Sequence, residues 1–279
     1  MRIRVLIENT TDSDLVCEHG LSLLIEYKEK KYLLDAGSTG IFLENAERLQ
    51  EPVDEADVCI LSHGHYDHAG GFAEYLKRNP GAKVYAMREA VGDYHSASGG
   101  ELHYIGIPEE VYPAFAPQFV LLDGMQKLTE DVYLIPHSTE GLEAIGARTK
   151  LYRRAAGEYL PDDFAHELSL VFDTEDGLVI CNSCSHAGIR TIINEVRAVL
   201  PGRPLNAFIG GLHMKGTRNG EEYCTFTEEE IKEIAGYLET EGLRCLYTGH
   251  CTGAVGFELL QKYRSSGLET LTTGREIFI

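Results

Sequence analysis

Between Leu61 and Gly71 the chain reads LSHGHYDHAGG, which places three histidines and an aspartate within six positions. His63 and His65 are one residue apart, so in extended backbone both side chains project to the same side. Asp67 and His68 follow where Gly70 and Gly71 let the chain turn into a helix. One short loop can thereby present two histidines to one cation and an Asp/His pair to a second. Imidazole and carboxylate are the donors that divalent transition metals take. Four residues do not complete two shells, so further ligands must come from elsewhere in the chain.

Four more histidines end predicted strands: His137 in LIPHSTEG, His186 in NSCSHAGI, His213 in IGGLHMKG and His250 in YTGHCTG. Sites in sheet proteins gather at strand ends, which makes that recurrence informative. His186 and His250 are read as ligands. His213, Thr252 and His137 are read as contacts to substrate or leaving group. His19, His95 and His103 lie in loop-like sequence and are given surface or lid roles, and His166 is set aside because it precedes a strand rather than ending one. The seven cysteines are odd in number and scattered, as expected of reduced thiols in a cytosolic chain. Cys181 and Cys184 form a C-x-x-C pair, but no second pair completes a four-thiolate zinc site, so both are read as buried thiols on a strand.

The elements that must position these residues follow from the apolar pattern. RIRVLIE (2–8), LSLLIEY (21–27) and KYLLDAG (31–37) read as strands, and ADVCILS (56–62) as a buried strand running directly into the histidine loop. Residues 38–50 have helical spacing with Ser38 or Thr39 as N-cap, and 71–79 is a short helix. ELSLVFDT and GLVICNS read as a hairpin turning at Asp176-Gly177. Helices at 188–200, 227–240 and 252–265 then alternate with strands at 205–210 and 243–248, before a final strand near 268–278. Thr227 and Glu230 match a capping box. The pattern predicts an α/β fold, two sheets packed face to face with helices outside, in one domain over 1–279, with an insertion or lid at 87–130.

With 279 residues and 43% hydrophobic composition, a sizeable core is expected. A formal net charge of −19 repels phosphate backbones and argues against nucleic acid as a partner. No apolar run approaches the roughly 20 residues of a membrane span, and the start carries no signal-peptide pattern. The chain reads as cytoplasmic, with no membrane partner, and the base rate allows a homodimer.

LSHGHYDHAGG after a buried strand, together with LLDAG at 33–37, resembles the metallo-β-lactamase superfamily. The resemblance spans essentially the whole chain. It implies an αββα sandwich, two mixed sheets flanked by helices, with a two-metal centre. It also implies that Asp35 stands behind the metal loop and orients it. CSHAGI (184–189), GGLHM (210–214) and GHCTG (249–253) are similar to a subfamily labelled dihydropterin-methyl-ribofuranosylaminobenzene-phosphate synthase-like. Two departures stand out. The strand that ends in a bridging aspartate in most two-metal relatives here ends in Ser183, Cys184, Ser185 and His186, which puts Cys184 behind the ligands. The subfamily's usual arginine aligns with His137.

The expected activity is metal-dependent hydrolysis of a phosphoester-containing small molecule, with a lactone or thioester as other substrates. His63, His65 and His186 would bind one cation, and Asp67, His68 and His250 the other. Two zinc ions suit the donors, and manganese or iron are also allowed. A water activated by the metal would attack, with Asp67 holding it and accepting its proton, and His213 serving the leaving group. An alternative is a biosynthetic enzyme for a phosphorylated pterin-like metabolite, with Tyr85, Tyr94, Tyr104, Tyr112 and Tyr133 stacking a flat ring. A di-iron redox protein and a non-catalytic metal binder are the remaining alternatives. The first of these lacks an appended flavin domain in this sequence.

Overall fold

The computed structural model describes every residue except Asn219 and Ser265. Two compact units emerge. The first comprises Met1–Asp93, Ile105–Asp123 and Leu271–Ile279, and the second Tyr94–Tyr104 and Gly124–Thr270.

The first unit is built on a seven-stranded sheet in the order Glu276–Phe278, Arg2–Ile7, Ser22–Tyr27, Lys30–Leu34, Val58–Ile60, Val84–Met87, Phe119–Leu122. Pairing is antiparallel as far as Lys30–Leu34 and parallel beyond it. Parallel neighbours need crossovers, and helices Ile41–Leu49 and Phe72–Arg78 supply two of them, burying Phe42, Leu43, Phe72 and Leu76 in the core of this unit. Leu34 pairs with Ile60, so the carboxyl ends of two adjacent parallel strands lie side by side. Ligands of open α/β sheets are bound at such ends, and here they lead into Asp35 and the histidine loop.

The second unit repeats the device. Its seven-stranded sheet runs Leu268–Thr270, Cys245–Thr248, Leu205–Ile209, Gly177–Cys181, Leu168–Thr174, Val132–Pro136, Gln126–Thr129. Gly177–Cys181, Leu205–Ile209 and Cys245–Thr248 are parallel neighbours. The loops leaving their carboxyl ends are NSCSHAG, GGLHM and GHCTG. Helices Ile189–Val199, Glu228–Thr240 and Gly253–Tyr263 follow those loops in the chain or lie between them. Among the described residues no helix is long and apolar enough to cross a membrane.

Several local expectations shift. The first helix starts after Gly40; the Thr39 hydroxyl accepts from the Ile41 N–H at 3.2 Å and donates to Glu18 at 2.8 Å, while Ser38 donates to the His19 carbonyl. The hairpin turns at Glu175-Asp176, because Thr174 already pairs with Gly177. The capping box at Thr227 and Glu230 is present. The last strand is two strands, one in each large sheet. Residues 87–130 are divided: Phe119–Leu122 closes the edge of the first sheet, whereas Tyr94–Ser96 and His103–Tyr104 join Leu151–Ala155 and Glu158–Pro161 in a four-stranded sheet of the second unit. Those last two strands and the hairpin Lys215–Arg218/Glu221–Cys224 are short and mostly exposed or half-buried, so no apolar alternation announced them.

Glu51, only 8% exposed, accepts from Arg2 Nη1 at 2.9 Å and Arg4 Nε at 2.7 Å. Burial alone pushes its carboxyl up, but the two guanidiniums outweigh it and hold it below its ordinary value. A depressed folded-state pKa adds stability above the unfolded value and loses it as pH falls through the folded one. Glu51→Gln is therefore expected to lower stability by about 1–2 kcal/mol at pH 7. In urea denaturation the gap between variant and parent should shrink steadily once the pH drops below 4.5, the ordinary glutamate value.

Candidate metal centre

In the first unit a single buried carboxylate organises the histidine loop. Asp35 Oδ1 accepts from the Ser62 N–H at 2.7 Å, and Oδ2 accepts from the Ser62 hydroxyl at 2.7 Å and from His68 Nδ1 at 2.8 Å. Because the Ser62 proton goes to Asp35, its oxygen receives Nδ1–H of His63 at 2.8 Å. One aspartate thus sets the tautomer of two histidines, putting the lone pair for a cation on Nε2 in each. The His63 ring centroid lies 4.6 Å from that of His65 and 4.2 Å from that of His68, and Asp67 Oδ2 is 3.5 Å from His68 Nε2. Burial favours neutral His68, but the carboxylates of Asp67 and Asp35 prevail and push it up to about 10. A cation bound at Nε2 therefore replaces a proton. His19, read as a surface residue, also reaches the loop: its Nε2 is 3.2 Å from Asp67 Oδ2.

Gly70 and Gly71 form the turn between helices Tyr66–Ala69 and Phe72–Arg78, as expected, but not by using left-handed backbone. Gly70 has φ −58° and Gly71 φ −66°, ordinary helical values. Their necessity is steric, since a Cβ at Gly70 would strike the Ser38 carbonyl and one at Gly71 the carbonyls of Ala36 and Thr39. The helix carrying Asp67 and His68 can therefore pack directly on the backbone after Asp35. Gly71→Ala is expected to cost about 3 kcal/mol by overpacking against backbone that cannot give way. Gly81→Ala, where nothing lies within 4 Å, should be nearly neutral in the same thermal melt.

In the second unit the three strand-end loops bring His186, His213, His250, Cys184 and Cys251 together. The His186 ring stacks on Phe164 (5.3 Å, 15°) and lies 4.2 Å from that of His213. Buried Glu167 takes the backbone N–H groups of His186 and Ala187 at 2.8 and 2.9 Å, pinning this loop. Burial keeps the Glu167 carboxyl above its ordinary range despite those two donors and the neighbouring imidazoles. Cys184 Sγ, Cys251 Sγ and a His250 ring nitrogen lie within 4.8 Å of one another. His213 Nδ1 is buried with no hydrogen-bond partner. Asp35, Ser185, His213 and His250 have φ of +60°, +55°, +48° and +50°. Left-handed backbone at non-glycine residues costs on the order of 1–3 kcal/mol each and clusters where function demands it.

Other assignments look different in place. His137 is buried with both ring nitrogens engaged, Nδ1 with Glu195 at 2.6 Å and Nε2 with the Ser169 hydroxyl at 2.9 Å. Asn182 joins Ser169 at 3.0 Å and accepts from the Ser185 N–H at 2.6 Å, so this network braces the CSHAGI loop. The buried Thr252 hydroxyl takes the Leu212 N–H at 2.9 Å and meets that of Thr248 at 2.5 Å, tying two strand ends together. Both side chains thus have hydrogen-bond partners within the protein. His166, set aside from sequence, is buried and paired with Asp162 at 3.0 Å. Cys184 lies beyond the strand that ends at Cys181, in the loop, and none of the seven cysteines is in a disulfide. Three of the five tyrosines of 85–133 are engaged within the protein: Tyr112 packs against Phe119, Tyr94 against His166, and the Tyr133 hydroxyl donates to the Glu130 carbonyl, whereas Tyr104 is half exposed.

The donors fit a divalent transition metal in both units. Three imidazoles crowd together beside two carboxylates in the first, and nitrogen and sulfur converge in the second; buried groups of this kind are compensated by a cation.

Comparison with known proteins agrees. A family model described as the metallo-β-lactamase superfamily matches residues 15–149. Two relatives from Methanocaldococcus jannaschii are each 26% identical. One, uncharacterised, aligns over 90% of this chain and 90% of its own length. The other, 7,8-dihydropterin-6-methyl-4-(β-D-ribofuranosyl)-aminobenzene-5′-phosphate synthase, aligns over 93% of this chain and 90% of its own. Among solved structures, Tm1679, described as a metal-dependent hydrolase of the β-lactamase superfamily, superposes with TM-score 0.81 at 24% identity, covering 100% of this chain and 99% of that one.

Proposed function

We propose that the chain, which has the α/β fold of the metallo-β-lactamase superfamily and matches that family's model over residues 15–149, is a member of it and a metal-dependent hydrolase of a phosphoester-containing small molecule. His63, His65 and His186 are assigned to one cation and Asp67, His68 and His250 to the other, with zinc favoured by the donors and manganese or iron as alternatives. Such a cation supplies Lewis-acid polarisation of the ester and lowers the pKa of a coordinated water. The observation that carries this reading is the Asp35 brace, which aims Nε2 of both His63 and His68 through one carboxylate.

The chain's own residues divide the remaining work. Asp67 orients the attacking water and accepts its proton, with His19 beside it to steady the carboxylate. His213 offers Nδ1, which no group of the described residues engages, to the leaving group as a proton donor. Glu167 holds the backbone at His186, while the His137–Ser169–Asn182 network and Thr252 keep the second-unit loops in register. The net charge of −19 fits a small substrate better than a nucleic acid.

A second reading has a specific support: the relative named as a synthase of a phosphorylated pterin compound. In that reading the same residues hold a phosphorylated pterin-like metabolite and the reaction is biosynthetic. Chromogenic phosphodiester, lactone and thioester substrates separate the two. Turnover of the phosphodiester that falls at least 100-fold in His65→Ala supports hydrolysis. Absence of turnover on all three, together with tight binding of a phosphorylated pterin, supports the second reading.

A further inference from the structure

We propose that Cys184 and Cys251 join His250 as direct metal ligands, so that thiolates supply the charge for which the resemblance expects a bridging carboxylate. The inference rests on the metal-dependent reading above and deepens it, adding sulfur donors to the second cation's shell.

Geometry carries it. The two Sγ atoms and the His250 nitrogen lie within 4.8 Å of one another. In a tetrahedral site with metal–sulfur bonds of about 2.3 Å, sulfur ligands stand roughly 3.8 Å apart, so only a small contraction is needed. All three residues are nearly fully buried: Cys184 is 3% exposed, His250 3% and Cys251 8%. Cys184 leaves the end of Gly177–Cys181, and His250 and Cys251 the end of Cys245–Thr248, so two strand ends of one sheet deliver the set.

The surroundings favour sulfur as an anion. The His213 N–H donates to Cys251 Sγ at 3.3 Å. Gly211 leaves room for that sulfur, which a Cβ there would displace. A thiolate is the form that binds metal. Cys181, three residues earlier, is buried on the strand with its thiol pushed up by burial alone, and serves as the internal control.

Cobalt reports sulfur ligation directly. The full chain, stripped with chelator and reloaded with Co(II), should show an intense near-ultraviolet thiolate-to-cobalt charge-transfer band. That band should lose about half its intensity in Cys184→Ser and in Cys251→Ser, disappear in the double variant, and stay unchanged in Cys181→Ser. Cobalt that binds stoichiometrically to the parent protein without the band overturns the thiolate proposal while leaving the metal centre intact, and that result needs no variant to fold. So does an intact mass under non-reducing conditions two hydrogens short in the isolated protein, which would make the pair a disulfide. Failure to bind cobalt at all removes the metal reading itself.

Discussion

Asp35→Asn is expected to lower stability by about 2–4 kcal/mol and metal affinity by roughly 10- to 100-fold. The substitution keeps the shape of the side chain, and asparagine tolerates the left-handed backbone at φ +60° as well as aspartate does. What changes is that the two hydrogen bonds accepted at Oδ2 can no longer be accepted there. Both carboxylate oxygens accept, from the Ser62 N–H, the Ser62 hydroxyl and His68 Nδ1. An amide nitrogen in place of Oδ2 must donate, so His68 is driven to carry its proton on Nε2, the nitrogen a cation needs. Ser62 then loses its fixed orientation, and with it the tautomer of His63. Loss of the carboxylate also removes one of the two charges that raise His68. Chelator competition measures the affinity loss and urea denaturation the stability. Unchanged affinity in a folded variant would show that the aspartate orients no ligand.

Glu167→Ala is expected to cost about 3–5 kcal/mol, because it strands two buried backbone N–H groups, those of His186 and Ala187, with no nearby replacement. Glu167→Gln keeps one acceptor and should recover roughly half of that loss. A role in holding the site, beyond the fold, predicts a further readout. In the glutamine variant, under conditions where it is folded, metal should be held about tenfold more weakly, as for outer partners of metal ligands generally. A glutamine variant that is destabilised yet retains full metal affinity would confine Glu167 to the fold.

The histidine loop and its brace were legible because their signals are local. Six positions fix the spacing of His63, His65, Asp67 and His68, and LLDAG marks a strand end beside them. Strand-end position likewise singled out His186, His213 and His250, which share one set of loops. Glu167 gave no such signal: its partners lie 19 and 20 residues further on, and a glutamate before a strand is usually solvated. The hydrogen bond from Cys251 Sγ to the Cys184 carbonyl spans 67 residues; two strand-end loops each carrying a Cys near a His were the clue available. The loop-tying hydrogen bonds of His137 and Thr252 were not legible, because a polar residue at a strand end is as apt to tie loops together as to face a ligand. Gly70 and Gly71 do turn the chain into the next helix, but the reason they must be glycine was hidden, since sequence does not reveal the carbonyls packed against them. The same limit applies to the 87–130 segment, whose short strands were claimed by partners distant in the chain.

The central claim is that these loops hold metal, and elemental analysis of the full chain purified without added metal tests it most directly. The account predicts about two transition-metal ions per chain, falling by about one in His250→Ala. A stoichiometry near zero after gentle purification, with no uptake of added zinc, manganese, iron or cobalt, would contradict it.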